Sequence, residues 1–165
     1  MIPFLPAIEA LEKAGVAYVV VGGLAALAHG VNRYTADVDF VIGLDRENAA
    51  KAVRGMTALG LKPRAPVDPL GFADENQRRF WINEKHMTVF SFYHPSDPFL
   101  VVDFFVEYPT DFEGLYARSV VKQLGPIPVR VCGRDDLIAM KKKAGRGKDI
   151  EDVRILEALK NDLVR

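Results

Sequence analysis

Val19-Val20-Val21-Gly22-Gly23 is followed, after a short alanine-rich segment, by Thr35-Ala36-Asp37-Val38-Asp39-Phe40. The apolar run ending in two glycines reads as a buried strand that leads into a tight turn, and Asp37-Val38-Asp39 opens a second strand. Strand side chains alternate with a period of two, so both carboxylates fall on one face and Val38 and Phe40 on the other. Two acids beside a glycine turn can hold a divalent metal next to a phosphate, a combination suited to nucleotidyl transfer. Each half also has a plain structural explanation: a Gly-Gly pair is more often a simple turn, and two acids opposite Val38 and Phe40 also describe an exposed strand face.

On the N-terminal side, Pro6 to Ala14 has helical spacing, with Ile8 and Leu11 apolar, Glu9, Glu12 and Lys13 polar, and Gly15 in the place of a left-handed C-terminal cap. Ala17 to Val21 is too short for a helix and is bounded by glycine, hence a strand. Leu24 to His29 is expected to be a short helix ending at Gly30, and Asp37 to Ile42 the second strand. Asp45 is placed to cap a helix from Arg46 to about Leu59, closed by Gly60. A short strand is expected near Leu61 to Arg64. From Asp68 to Glu84 the composition is polar; Phe72, Asn76, Arg79 and Phe80 would share one helical face there, and a mobile flap fits the same stretch. Met87 to Tyr93 and Phe99 to Val106, joined by His94-Pro95-Ser96-Asp97-Pro98, read as an antiparallel hairpin. Asp111 to Ala117 is expected as a short helix and Ile127 to Val131 as a strand. Arg134 to Ala144 and Asp149 to Leu163 close the chain as two helices separated by Gly145-Arg146-Gly147. No repeat or linker divides the sequence, so residues 1–165 are expected to form a single domain.

Val101-Val102-Asp103-Phe104-Phe105 places one acid inside an apolar strand. A buried, unpaired carboxylate would cost several kcal/mol or stay protonated, so Asp103 needs a cation, a hydrogen-bond network or an edge position facing solvent. Together with Asp37 and Asp39 it makes three carboxylates on neighbouring strands, which repel one another unless divalent cations sit among them. Two magnesium ions about 4 Å apart are a known device for in-line phosphoryl displacement. Asp37 and Asp39 would bind both metals, and Asp103 would complete the second site and act as general base. Backbone amides at Gly22 and Gly23, with the helix N-terminus that follows, would face the phosphates.

The bulk properties agree with such a chemistry without naming it. A chain of 165 residues, 49% of them hydrophobic, can bury one real core. Lys and Arg number 22, as do Asp and Glu, so no whole-molecule field favours nucleic acid or a membrane, and any nucleic-acid contact would be local. Cys132 is the only cysteine, which excludes an intrachain disulfide and a thiolate-rich zinc site. Met1-Ile2-Pro3-Phe4-Leu5-Pro6 lacks a basic leader, and no apolar run approaches the roughly 20 residues of a spanning helix; a cytoplasmic, soluble protein is expected.

With Gly22-Gly23, Asp37-Val38-Asp39 and Asp103 in place, the sequence resembles the nucleotidyltransferase superfamily typified by the polymerase-β catalytic core. Within it the chain is similar to the small bacterial AbiEii-like and minimal nucleotidyltransferases, through Gly22-Gly23-Leu24-Ala25-Ala26, Arg33-Tyr34-Thr35-Ala36-Asp37-Val38-Asp39, Leu137-Ile138-Ala139-Met140-Lys141 and Arg146-Gly147-Lys148-Asp149. The resemblance implies an α+β fold, with a mixed sheet of about five strands flanked by helices. It also implies transfer of a nucleoside monophosphate from a nucleoside triphosphate to a hydroxyl, with pyrophosphate leaving. The acceptor, an RNA, a protein or a small molecule, would be set by parts outside the core, and little of this chain lies beyond it.

Lys141, Lys142, Lys143, Arg146 and Lys148 concentrate positive charge near the junction of the last two helices, as cations commonly do at a helix C-terminus. Of these, Lys141, Lys148 and Arg146 are the candidates to neutralise the triphosphate; Arg33 and Thr35 are close enough to the acids to touch phosphate, the alternative being that they only order the loop. Asp149 and Asp152 resemble a capping box of the last helix. His29, His86 and His94 lack partners at metal-ligand spacing, and Trp81, Phe80, Phe90 and Phe92 suit core packing better than base stacking. The alternative to catalysis is an interaction module, such as a toxin-antitoxin component with a protein partner, that keeps the fold.

Overall fold

The computed structural model describes residues 3–162. The apolar run at its centre becomes strand β1 (Tyr18–Val21), and the chain turns at once into helix α2 (Gly22–Ala28), with α1 (Leu5–Lys13) before it. Both glycines therefore sit inside the first turn of α2, where a separate turn was expected. Strand β2 (Val38–Ile42), helix α3 (Arg46–Ala58) and the two-residue strand β3 (Lys62–Pro63) follow. Next come a 3-10 turn (Pro69–Ala73), α4 (Glu75–Lys85) and the hairpin of β4 (Val89–His94) and β5 (Asp97–Phe105). The described chain ends with α5 (Phe112–Arg118), β6 (Val120–Leu124), β7 (Ile127–Val131), α6 (Arg134–Ala144) and α7 (Gly147–Asp162). The expected end of the last helix at Leu163, and Met1 and Ile2 of the N-terminal stretch, lie outside the described residues.

One mixed α+β architecture results, with a seven-stranded sheet in the order β3-β4-β5-β2-β1-β7-β6. Two more strands are present than the five or so expected. The addition that no sequence signal indicated is β6, whose Val120-Val121-Lys122-Gln123-Leu124 shows no clean alternation. It is an edge strand that exists because it pairs along its whole length with β7 around the Gly125 turn. At the centre β1 and β2 are antiparallel, while β2 and β5 are parallel, with Asp39 opposite Asp103 and Phe40 opposite Phe104. Asp103 thus lies on an interior strand paired on both sides, which rules out the edge position. No described helix is long and apolar enough to cross a membrane.

The period-two alternation gives the sheet two unlike faces. Phe40, Phe104, Phe90 and Phe92 point to one side, where Phe72 of the 3-10 turn packs 5.4 Å from Phe104 and 5.8 Å from Phe90, and Trp81 of α4 stacks on Phe90 at 5.1 Å. Asp39, Asp103 and Ser91, each one residue away from those aromatics, point to the other. The segment from Asp68 to Glu84 is accordingly packed, and the flap alternative does not apply. Asp68 accepts from the Leu70 N–H at 2.9 Å and Asp74 from the Asn76 N–H at 2.8 Å, so each acid caps its own turn. The expected helical face is corrected as well. Phe72 belongs to the 3-10 turn, Asn76, Arg79 and Phe80 are exposed, and the buried face of α4 is Arg78 and Trp81. The Arg78 guanidinium donates to the carbonyls of Phe72 at 2.6 Å and Leu44 at 3.4 Å, which ties α4 to the turns around it.

Phe72→Ala is expected to cost about 3–5 kcal/mol in a urea unfolding titration, because it empties the centre of the aromatic cluster. Phe80→Ala, on the exposed face, should change stability by no more than about 0.5 kcal/mol.

Candidate active site

Three elements bring the acids together: the end of β1, the start of β2 and the middle of β5. Asp37 lies in the bend before β2, Asp39 on β2, and Asp103 directly across the parallel pair. One carboxylate oxygen from each lies within 4.8 Å of the others. The approach is possible because of Gly22, whose φ of +67° falls in the left-handed region and whose missing Cβ leaves room for Asp39 Oδ2. A Cβ there would collide with that oxygen. On Gly23 a Cβ would stand 2.8 Å from Thr35 Oγ1, which itself donates to the Asp37 carbonyl at 2.9 Å and shapes the bend. The two glycines thus let the first turn of α2 lie against the carboxylates and their loop.

Burial and neighbouring acids act on Asp39 and Asp103. Asp39 is pushed up to about 7, first by burial and then by the charges of Asp37 and Asp103. Asp103 is also raised, chiefly by burial and by Asp37; the Ser91 hydroxyl, donating to its Oδ1 at 2.6 Å, and the Arg64 guanidinium oppose the rise. Three clustered carboxylates, with Asp39 and Asp103 raised by burial and by neighbouring acids, are a hard oxygen donor set that suits a magnesium-like cation, so the residues present fit that group.

A cavity of about 480 Å³ opens over the triad, and Gly22, Gly23, Arg33, Thr35, Arg146 and Lys148 are among the residues on its walls. Its cations play unequal parts. Lys141 also reaches the wall, but it is buried and paired with Asp152 at 2.8 Å and Asp149 at 3.5 Å. Besides the phosphate role expected of it, its ammonium holds α6 to α7, because two buried acids beside it need a counter-charge. Arg33 is ion-paired with the same Asp152, which fastens the loop before the triad to α7. Asp149 accepts from the Arg146 backbone N–H at 3.2 Å and pairs with its guanidinium at 2.7 Å. That is half of the expected capping box; Asp152 has a different duty, as the shared partner of Lys141 and Arg33. Lys148 is exposed and has no ion pair among the described residues. His29 is structural, with its Nε2 at 2.7 Å from the Cys132 carbonyl.

Two residues near the acids escaped the sequence reading. Ser91 was legible in principle, as the lone polar residue between Phe90 and Phe92 on a strand expected to pair with that of Asp103. Arg64 carried no signal, since only the β3–β4 pairing brings it beside Ser91, whose carbonyl accepts its N–H at 2.9 Å.

The raised Asp39 has a measurable consequence. Between about pH 4 and pH 7 the folded, metal-free protein retains a proton that the unfolded chain has released, so stability should fall as pH rises through that window. Thermal unfolding against pH should show this decline, and Asp39→Asn should flatten it. Lys141→Met should destabilise by about 3 kcal/mol in a urea titration, since it removes the buried cation shared by Asp149 and Asp152 and leaves them only the more exposed Arg146 and Arg33. Lys148→Met should leave the same titration unchanged.

No protein-family model matches the chain, and no curated protein matches it by sequence. Solved structures do. The lincosamide antibiotic adenylyltransferase LnuA, in its lincomycin-bound form, superposes with a TM-score of 0.60 at 13% identity, over 92% of each chain. The antibiotic-resistance factor ANT(2'')-Ia superposes with a TM-score of 0.60 at 14% identity, over 96% of this chain and 87% of the other. TM1012 from Thermotoga maritima, described as a nucleotidyltransferase, gives 0.56 at 17% identity, over 90% and 86%. With the strand order and the triad's place on it already described, these likenesses establish that the chain has the nucleotidyltransferase fold.

Proposed function

We propose that the protein is a magnesium-dependent nucleotidyltransferase that moves a nucleoside monophosphate from a nucleoside triphosphate to a hydroxyl acceptor and releases pyrophosphate. The observation that carries this proposal is the clustering of Asp37, Asp39 and Asp103 within 4.8 Å beside the glycine turn of α2. The adenylyltransferase activity named for LnuA, whose chain this one matches nearly end to end, supports the same class of reaction. The motifs around Gly22 and Arg146 support a place among the small AbiEii-like transferases.

Two magnesium ions held by the three aspartates would neutralise triphosphate oxygens and favour in-line displacement at the α-phosphorus. The chain's own groups do the rest. Asp103, raised above an ordinary carboxylate and steadied by Ser91, takes the proton of the attacking hydroxyl. As the hydroxyl oxygen bonds to the α-phosphorus, the bond to the bridging oxygen of the β-phosphate breaks and pyrophosphate carries away the electron pair. Arg146 and Lys148 face the cavity as cations for the phosphates, with the Gly22 and Gly23 amides and Thr35 on its other side. Arg33, tethered to Asp152, keeps the loop in place.

Incubation with each α-labelled nucleoside triphosphate, magnesium and a cell extract should move label to an acceptor. Asp39→Asn should reduce transfer by more than about 100-fold. Failure of any triphosphate to bind in the presence of magnesium would sink the proposal. Unchanged cellular function of Asp39→Asn, together with a stable protein partner in pull-down, would favour a binding module instead.

A further inference from the structure

The helices of the acidic face do not cover all of it. Over β5, β4 and β3 the same face carries Val101, Ser91, Tyr93, Phe99 and Arg64, and here two large aromatics stand in solvent, Phe99 at 63% exposure and Tyr93 at 37%. This open shelf begins at Asp103 and ends at β3. Its register is set by main-chain pairing: Asp39 lies opposite Asp103, Asp103 opposite Ser91, and Arg64 continues the β3–β4 ladder opposite Ser91 through its N–H to the Ser91 carbonyl. Four neighbouring strands therefore present a single row of side chains: carboxylate, carboxylate, hydroxyl, guanidinium.

The cationic end of that row is free. Arg64 is exposed and makes no ion pair among the described residues, and Lys62, two residues before it and opposite Tyr93, is likewise exposed and unpaired among them. Asp97, at the hairpin end of the shelf, accepts from the Phe99 N–H at 3.0 Å and so serves its own turn. The phosphate-side cations Arg146 and Lys148 come from the α6–α7 junction, which covers the opposite side of the triad. Arg64 therefore lies on the side of Asp103 away from the cations proposed for the triphosphate.

We infer that this shelf binds the acceptor, and that Arg64 selects one carrying an anionic group, a phosphate or a carboxylate, close to the hydroxyl that is attacked. The spacing sets the reach. Strands lie about 4.8 Å apart, so the Arg64 backbone is about 10 Å from that of Asp103, and its side chain can meet an anion within about 5–10 Å of the reacting oxygen. Tyr93 and Phe99 give the body of the acceptor an apolar surface, and the shelf is continuous with the site at Asp103. The inference rests on the transferase proposal above, and its test separates the two.

A cell extract is divided by anion exchange into retained and flow-through halves, and each is offered to the protein with labelled triphosphate and magnesium. Triphosphate affinity is measured in parallel by fluorescence titration. Label is expected only in products from the retained half. Arg64→Glu should raise the half-saturating amount of that fraction about tenfold, a larger change than it makes in triphosphate affinity, and Arg64→Lys should recover most of the loss. Phosphatase or ribonuclease treatment of the retained half distinguishes a phosphorylated small molecule, a polynucleotide end and a carboxylate. Label in products from the flow-through half, equal use of acceptor by Arg64→Glu, or triphosphate binding with no transfer to either half would overturn the inference. Absence of triphosphate binding would remove the transferase proposal itself.

Discussion

The packing of three carboxylates at the junction of β1, β2 and β5 is the constraint around which the rest of the molecule is organised. Carboxylates within 4.8 Å of one another in a partly buried setting repel, and burial together with the charges of Asp37 and Asp103 pushes Asp39 up to about 7. The Ser91 hydroxyl and the Arg64 guanidinium relieve it in part at Asp103, and Arg146 and Lys141 do so at Asp39. The aromatic cluster on the opposite face packs Phe40, Phe92 and Phe104 of β2, β4 and β5 together, and the missing side chain of Gly22 lets Asp39 approach. A divalent cation would supply the counter-charge that this donor set suits.

The second constraint lies at the end of the chain. Asp149 and Asp152 are almost wholly buried on α7, and their charge is met by Lys141 from α6, Arg146 from the junction and Arg33 from the loop before the triad. Two acids thus join three separate elements. A buried network of this kind adds little stability over an apolar replacement, but removing one member is costly, so it specifies a single arrangement. Here the arrangement fixed is the distance between the C-terminal helices and the acidic face, and hence the width of the cavity between them.

The elements were largely legible before the structure, and so was the identity of the three acids. Helices α1, α3 and α6 and strands β1, β2, β4, β5 and β7 fall within a few residues of where periodicity and capping residues put them. Asp45, for example, accepts from the Asn48 N–H at 2.9 Å, as its position before Arg46 implied. The misses share a cause. Strand β6 has little pattern of its own and is stabilised by its neighbour; Phe72 and Phe80 suit one helical face equally well until the 3-10 turn separates them. Lys141 sits in a run of three lysines that looks like solvent-facing charge, and only the approach of α7 buries the first of them.

Alternation, glycine at a strand end and an acid within an apolar strand are properties of a few consecutive residues, so the sequence alone determined which side chains could share a face and which backbone positions had to lack a Cβ. The parallel pairing of β2 with β5 joins residues far apart in the chain, and local propensity does not encode its register. Tertiary packing therefore decided that Asp103 lies opposite Asp39, that Lys141 meets Asp152, and that Arg64 stands at the open end of the row. Each is a contact between distant segments, set by how the helices and the aromatic layer close around the sheet.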